Sequence, residues 1–209
     1  MQDVAPTTIE LNHEREDELR QWLIAHYRPV YGDGTQAYVE SVLDLSGYVD
    51  RFNYLRSVAP DVFRRGAALA VSGFALGSEM IVARQLGFDP VCGVEVEHFL
   101  VEATQRRLAY LPGMQLDYYA GDTLPYPDEA FTVVTSGHVI EHTRDPALYL
   151  RECMRVLQSD GVLALEFPTR YHYRELHTRL PSLEWLPKPM RNLGLQALSH
   201  PKRHRFPAR

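Results

Sequence analysis

Short apolar runs alternate with helical patterns from residue 66 onward, and this alternation constrains the fold more than any other feature of the chain. The runs with strand character are ALAVS (68–72), PVCGVEV (90–96), MQLDYYAGD (114–122), AFTVVTSG (130–137) and GVLALEF (161–167). Buried apolar strands separated by helices form parallel sheets with helices on both faces. We therefore expect an α/β chain with an open, doubly wound, mostly parallel Rossmann-like sheet. Its ligand crevice is expected at the carboxyl ends of the strands.

The segments before and after this alternation have a different character. Residues 1–65 contain three helical patterns and are expected to form a helical N-terminal cap, in which Pro29–Gly34 breaks the first helix. Residues 66–168 are expected to form the Rossmann-like core. Residues 169–209 contain five prolines and no strand-like run. They are expected to form a basic, proline-rich tail that lies on the acceptor side or in an oligomer contact.

The charges are distributed unevenly along the chain. The net charge of −5 combines a balance of +7 over residues 170–209 with −12 over residues 1–169. A basic tail can bind an acidic ligand, an anionic membrane surface or a nucleic acid, or it can cover the acidic body of its own or a sister chain. The last interpretation is favoured, because the positive charges are scattered among prolines rather than set along one helix face. We expect no nucleic-acid partner, and a homodimer is one of the arrangements left open.

Composition indicates a globular protein without a membrane span. No apolar run approaches the length that crosses a bilayer, and the first residues lack the basic start and apolar stretch of a signal peptide. Cys92 and Cys153 lie inside apolar segments and have no metal-ligand spacing. We therefore expect a cytoplasmic protein with reduced core thiols and no metal site.

Four polar features fall at the carboxyl ends of successive predicted strands. They are the glycine loop Gly73–Gly77, the acid Glu95, the pair Gly121–Asp122 and the segment Ser136–His138. A carboxylate at position 95 can accept hydrogen bonds from both hydroxyls of a ribose, and Asp122 can accept one from an exocyclic amino group such as that of adenine. All four open into one crevice of the predicted sheet, so together they indicate a nucleoside-binding site.

The glycine loop narrows the choice of nucleoside. Its spacing is Gly73-x-Ala75-x-Gly77, whereas a dinucleotide fingerprint reads G-x-G-x-x-G. This difference disfavours a pyrophosphate cradle, and the absence of a Walker lysine disfavours a nucleoside triphosphate. A ligand with a ribose and an adenine but no phosphate fits the loop better.

The segment AGDTLPYPDEAFTVVTSGHVIEHTRDPALYLRECMRVLQSDGVLALEFP (120–168) carries a resemblance to a known family. It resembles the central part of class I S-adenosylmethionine-dependent methyltransferases of the type 11 group, whose pattern runs GD…LPF-D-SFD-V-S--VLEH--DP…L-E--RVLKPGG-L-L--P. The similarity extends over residues 67–168 and is ordered and ungapped. It implies S-adenosylmethionine as the cofactor and methyl transfer to an O or N atom of an unidentified small-molecule acceptor. The helical N-terminus then resembles the variable cap that such enzymes place over the cofactor.

The resemblance also implies cofactor-binding residues. Glu95 would hold the ribose hydroxyls, Asp122 the adenine amino group, and the glycine loop would pass beneath the methionine moiety. The complete implied set is Ser72, Gly73, Phe74, Ala75, Gly77, Glu95, Val96, Gly121, Asp122, Thr123, Ser136 and Gly137.

An acceptor hydroxyl or amine must lose a proton, so we also expect a general base near the methyl group. His138 is the first candidate, because it follows the fourth strand and histidine titrates near neutral pH. His142 and Glu141 are the second and third, with the alternative that both anchor the loop before the next helix. The candidates to line the acceptor pocket are Tyr171, His172, Tyr173 and His177.

Three departures from the family pattern keep other functions open. Val71 stands where the family has an acid, Ala75 replaces a loop glycine, and no strands six and seven follow the fifth strand. Ser72 or Glu79 is a candidate replacement for the acid. Two explanations for this absence are open: the chain is truncated after strand five, or the tail and a partner subunit cover the sheet edge that strand five forms. The alternatives are a pseudoenzyme or interaction module with the same fold and, less favoured, an NAD-dependent oxidoreductase.

Overall fold

Three helices precede the sheet in the computed structural model, which describes residues 11–64, 67–121 and 123–168. They are α1 (His13–Tyr31), α2 (Thr35–Leu43) and α3 (Ser46–Val58). The side chain of Asn12 accepts a hydrogen bond from the backbone N–H of Arg15 at 3.1 Å and caps the start of α1. None of the helices in the described ranges is both long and apolar enough to cross a membrane.

The first helix ends inside the stretch Pro29–Gly34, where the sequence predicts the break, although not at Pro29 itself. Helix α1 continues through Pro29 to Tyr31, and a 3-10 turn at Gly32–Gly34 follows it. Proline has a φ angle that suits a helix and disturbs it chiefly by removing one backbone hydrogen bond. Pro29 lies in the last turn, where that loss does not interrupt a longer run of bonds.

A parallel sheet of five strands forms the centre of the described residues. Its strands are β1 (Leu69–Ser72), β2 (Val91–Glu95), β3 (Met114–Tyr118), β4 (Phe131–Gly137) and β5 (Leu157–Glu166). The helices between them are α4 (Ser78–Gln85), α5 (His98–Leu108) and α6 (Pro146–Val156). The order is β3-β2-β1-β4-β5 with every pair parallel, which confirms the predicted doubly wound sheet. The order reverses direction between β1 and β4, and ligands of such sheets bind at that switch point.

Strand β5 begins earlier than the sequence predicts. Leu157 directly follows α6 and already pairs with Phe131, after which the register shifts so that Val162 pairs with Val133. The predicted absence of strands six and seven concerns residues 169–209, which lie outside the described residues.

Both faces of the central strands β1, β2 and β4 are buried, as expected for parallel strands, whereas the outer strands β3 and β5 are partly exposed. Alternate residues of β1 point to opposite faces: Leu69 and Val71 belong to the core that packs against α3 and α4, while Ala70 belongs to the core that packs against α6. Cys92 and Cys153 lie in the second core as free thiols, and burial raises the pKa of each to about 11.

The helical region packs directly on the glycine loop. Leu23 of α1 and Val39 of α2 share a buried cluster with Leu76 of the loop and Ala103 of α5. The described residues up to Glu166 belong to one compact unit, so the helices and the sheet are not separate bodies. The helices therefore lie beside the crevice at the carboxyl ends of the strands.

Candidate functional site

The loop after β1 has a left-handed backbone at every second residue. The φ angles are +76° at Gly73, +47° at Ala75 and +75° at Gly77. A Cβ at Gly73 would lie 2.4 Å from a methyl group of Val139, and one at Gly77 would lie 2.7 Å from a methyl group of Thr104. Glycine is therefore required at the outer two positions. The middle position admits the methyl group of Ala75, although a left-handed L-residue costs about 1–2 kcal/mol.

Glu95 holds this strained residue in place. Its Oε2 accepts a hydrogen bond from the backbone N–H of Ala75 at 3.0 Å, while its Oε1 accepts from Val96 at 2.8 Å and from Glu97 at 3.2 Å. The hydroxyl of Thr104 donates to the carbonyl of Ala75 at 2.7 Å. Burial raises the pKa of Glu95, and the bonds from Ala75 and Val96 oppose that rise. Ala75 is thus bonded from both sides in the conformation that the loop needs.

The Glu95 carboxylate can accept only some of the hydrogen bonds that a ribose would donate. A carboxylate offers about four lone-pair directions, and three are taken by backbone N–H groups. One ribose hydroxyl can be bonded directly, whereas a second would have to replace a backbone bond, of which the one from Glu97 is the longest.

The backbone that follows β3 is not crowded by other groups of the protein. Gly121 has a φ of +101°, and a Cβ there would meet nothing within 4 Å. Thr123 is exposed. Asp122, the predicted adenine-binding residue, lies outside the described residues, so its role stays a prediction.

Three of the predicted cofactor-binding side chains, those of Ser72, Phe74 and Ser136, lie inside the protein rather than in the crevice. The Tyr149 hydroxyl donates to Oγ of Ser72 at 2.8 Å and shares a 2.6 Å hydrogen bond with Oγ of Ser136. Both serines and Phe74 are buried. These residues can therefore face a ligand chiefly through their backbone.

His138 follows β4 and lies between two carboxylates. It has a left-handed φ of +57°, and its backbone N–H donates to the carbonyl of Glu166 at 2.8 Å. Its Nδ1 lies 3.4 Å from Glu141 Oε1, and its Nε2 lies 3.3 Å from Glu166 Oε1. The side chain is 47% exposed, so the ring can be reached from solvent. The structure thus brings together the first and third base candidates.

The second candidate, His142, ends the 3-10 turn Ile140–His142. Its backbone N–H donates to the carbonyl of Val139 at 2.9 Å. This bond is made by the backbone of the turn, so the role of the imidazole stays a prediction.

Sequence reasoning missed two arginines beside the crevice. Arg107 of α5 is 1% exposed and donates to both carboxylate oxygens of Glu16, at 2.7 and 3.0 Å, and to the carbonyl of Leu76 at 2.8 Å. The sequence feature that could have identified Arg107 is its position on the apolar stripe of α5, one helical turn after Ala103. Arg51 of α3 carries no comparable signal in the sequence.

Arg51 joins the helical region to the carboxyl edge of the sheet. Its Nη1 donates to Glu79 Oε2 at 3.1 Å, and its Nη2 forms a short ion pair with Glu166. Glu79 is 5% exposed, and its burial raises the pKa of the carboxyl group while Arg51 lowers it. The Thr135 hydroxyl also lowers this pKa. Yet neither that hydroxyl oxygen nor Glu79 Oε1 has a hydrogen-bond partner of normal geometry among the described residues.

The sheet order, the left-handed loop after β1 and the acid at the end of β2 define a Rossmann-like nucleoside-binding domain. Residues 72–165 match the family described as a methyltransferase domain. This match confirms, for the matched segment, the family that the sequence predicts, the class I S-adenosylmethionine-dependent methyltransferases.

Two named relatives illustrate the similarity. A probable S-adenosylmethionine-dependent methyltransferase of Mycobacterium tuberculosis is 33% identical over 132 residues, which cover 61% of this chain and 45% of the relative. The ajmaline N-methyltransferase of Rauvolfia serpentina is 35% identical over 83 residues, which cover 37% of this chain and 28% of the relative. The chain thus spans less than half the length of either relative.

Solved structures agree on the fold alone. An S-adenosylmethionine-dependent methyltransferase of Mesorhizobium loti superposes with a TM-score of 0.51 at 19% identity, over 59% of this chain and 55% of that one. Another from Aquifex aeolicus superposes with a TM-score of 0.50 at 13% identity, over 87% and 86%.

Proposed function

We propose that this chain transfers the methyl group of S-adenosylmethionine to an O or N atom of a small-molecule acceptor. The observation that supports it most is the left-handed loop of Gly73, Ala75 and Gly77, held at the switch point of the sheet by Glu95. This arrangement presents loop backbone and a buried carboxylate at neighbouring strand ends. The similarity to ajmaline N-methyltransferase supports keeping nitrogen among the acceptor atoms.

Methyl transfer asks little covalent chemistry of the protein. When bound, S-adenosylmethionine supplies a methyl group that its sulfonium has already activated. The task of the chain is to bind the nucleoside through Glu95, to orient the methionine moiety over the loop, and to align an acceptor with the methyl group while excluding water. In this proposal the backbone of Gly137 and the ring of His138 flank the methyl position.

His138 removes the proton of the acceptor in this proposal. Its two ring nitrogens lie near Glu141 and Glu166, and both contacts are longer than a strong hydrogen bond. One carboxylate can orient the ring while the other nitrogen faces the acceptor and takes the proton. His142 and Glu141 stay as the second and third groups to test.

Isothermal titration calorimetry with S-adenosylhomocysteine tests the cofactor role. We expect the wild-type chain to bind it and Glu95→Ala to lower the affinity by about 10- to 150-fold, since the one directly bonded ribose hydroxyl makes a charge-assisted hydrogen bond of about 1.5–3 kcal/mol. Glu102→Ala is the matched control, because that carboxylate on α5 is exposed and pairs only with Arg106 among its described contacts. Circular dichroism shows whether each variant keeps the fold. Wild-type affinity in Glu95→Ala would refute the ribose role.

The same titration separates the alternatives. An absence of binding at high micromolar ligand would reject the enzyme and favour an interaction module with the methyltransferase fold. A specific fluorescence change on titration with NADH would instead favour an oxidoreductase, and we expect none. A cytoplasmic location and a homodimer belong to the proposal, and sedimentation velocity tests the second.

A further inference from the structure

We propose that Arg51 of α3 binds the carboxylate of the methionine moiety of S-adenosylmethionine, with Glu79 as the residue that positions its guanidinium. The inference rests on the proposed function. It goes beyond that function by assigning a cofactor contact to a particular residue of the helical region, where the sequence predicted a cap but no contact residue.

The first support is the position of the guanidinium. A Cβ built on Gly137 would lie 3.2 Å from Arg51 Nη1 and 3.3 Å from Nη2. Arg51 therefore lies against the end of β4, next to the point where β1 runs into the glycine loop, because Ser136 and Ser72 are paired in the sheet. The proposed methyl position and the proposed path of the methionine moiety meet here. A short aliphatic chain joins the sulfur to the amino-acid group, so the carboxylate must lie close by.

The second support is the way Arg51 is held. Glu79, in the first turn of α4, accepts from Nη1 at 3.1 Å and is nearly inaccessible to solvent. The Tyr48 ring lies under the guanidinium, with 5.1 Å between the guanidinium carbon and the ring centroid. These contacts fix the plane of the group, and a planar guanidinium of fixed orientation is suited to recognise a carboxylate.

The third support is the contact with Glu166. This half-exposed carboxylate at the end of β5 forms an ion pair with Arg51 Nη2. The outer side of the guanidinium therefore accepts a carboxylate from the solvent side of the crevice, while its inner side is committed to Glu79. An arginine has five N–H donors, and these two bonds leave others for a ligand.

The assignment also addresses the missing acid at Val71. In this site the charged recognition of the amino-acid group comes from an ion pair between α3 and α4 rather than from the end of β1. Of the two replacements considered, Ser72 is bonded to Tyr149, whereas Glu79 lies in this ion pair.

Calorimetry with two ligands tests the assignment: S-adenosylmethionine and its decarboxylated form, which lacks only the carboxylate. We expect the wild-type chain to prefer S-adenosylmethionine by about 10- to 100-fold, the range of one charge-assisted hydrogen bond. Arg51→Met should bind both ligands with similar affinity, because the carboxylate loses its partner. Arg56→Met is the control on the same helix, where the guanidinium lies over Phe63, and it should keep the preference.

The outcomes separate this inference from the proposed function. If Arg51→Met keeps the wild-type preference, or if it weakens both ligands equally, the assignment is wrong and the residue is structural. Equal and tight binding of both ligands by the wild-type chain would overturn the assignment and leave the proposed function standing, whereas binding of neither ligand would overturn both. If Arg51→Met does not fold, Arg51→Met combined with Glu79→Gln removes both charges of the buried pair and is compared in the same way.

Discussion

The buried ion pair between Glu16 of α1 and Arg107 of α5 allows a quantitative test of what holds the helical region on the core. The pair has two hydrogen bonds, at 2.7 and 3.0 Å, and Arg107 also donates to the Leu76 carbonyl and to the Ser78 hydroxyl. Arg107→Met would leave the Glu16 carboxylate buried without its counter-charge. Breaking a buried pair in this way costs about 3–5 kcal/mol. For a chain of 209 residues this corresponds to a fall in Tm of roughly 6–20 °C.

The measurement is equilibrium unfolding in urea, followed by far-ultraviolet circular dichroism. Arg106→Met is the control: the neighbouring Arg106 is exposed, pairs with Glu102 one turn away and lies over the Trp22 ring of α1, so its loss should cost only about 1 kcal/mol. Arg107→Met combined with Glu16→Met removes both charges and should recover most of the lost stability, because no uncompensated ion is left buried. If Arg107→Met and Arg106→Met differ by less than about 1 kcal/mol, the buried pair does not hold the helices as we infer.

Two further predictions concern the loop and the acid stability of the core. Ala75→Gly should raise the unfolding free energy by up to about 1 kcal/mol, since the relief of a left-handed alanine exceeds the entropic cost of glycine; urea unfolding checks this, and a loss of stability would contradict it. The Arg155 guanidinium holds the pKa of Glu152 below its usual value. The stabilisation that ionised Glu152 contributes is therefore complete above its unfolded-state pKa of about 4.5, and it is lost as the pH falls through its pKa in the folded protein. Accordingly, Glu152→Gln should cost more stability near pH 6 than near pH 3, and an equal cost at both pH values would exclude this explanation.

The strand–helix alternation and the polar strand ends were predictable because their causes are local. Short apolar runs such as 90–96, bounded by turns and alternating with helices, are typical of buried central strands, and the spacing of Gly73 and Gly77 reflects backbone angles that glycine adopts at little cost. The pattern of residues 120–168 was long and ordered enough to identify the family. The position of Glu95 at a strand end followed from the same alternation, although its bond to Ala75 did not.

The sequence by itself determined the fold class, the family and the side of the sheet on which a ligand binds, because these depend on the period of apolar residues and on short motifs. The tertiary structure alone decided which groups meet at the crevice. Arg51 reaches Glu79 and the end of β4 from a separate helix, and Arg107 reaches Glu16 across 91 residues of sequence. Such pairs depend on how helices dock on a sheet, and neither the composition nor the spacing of either partner encodes that docking.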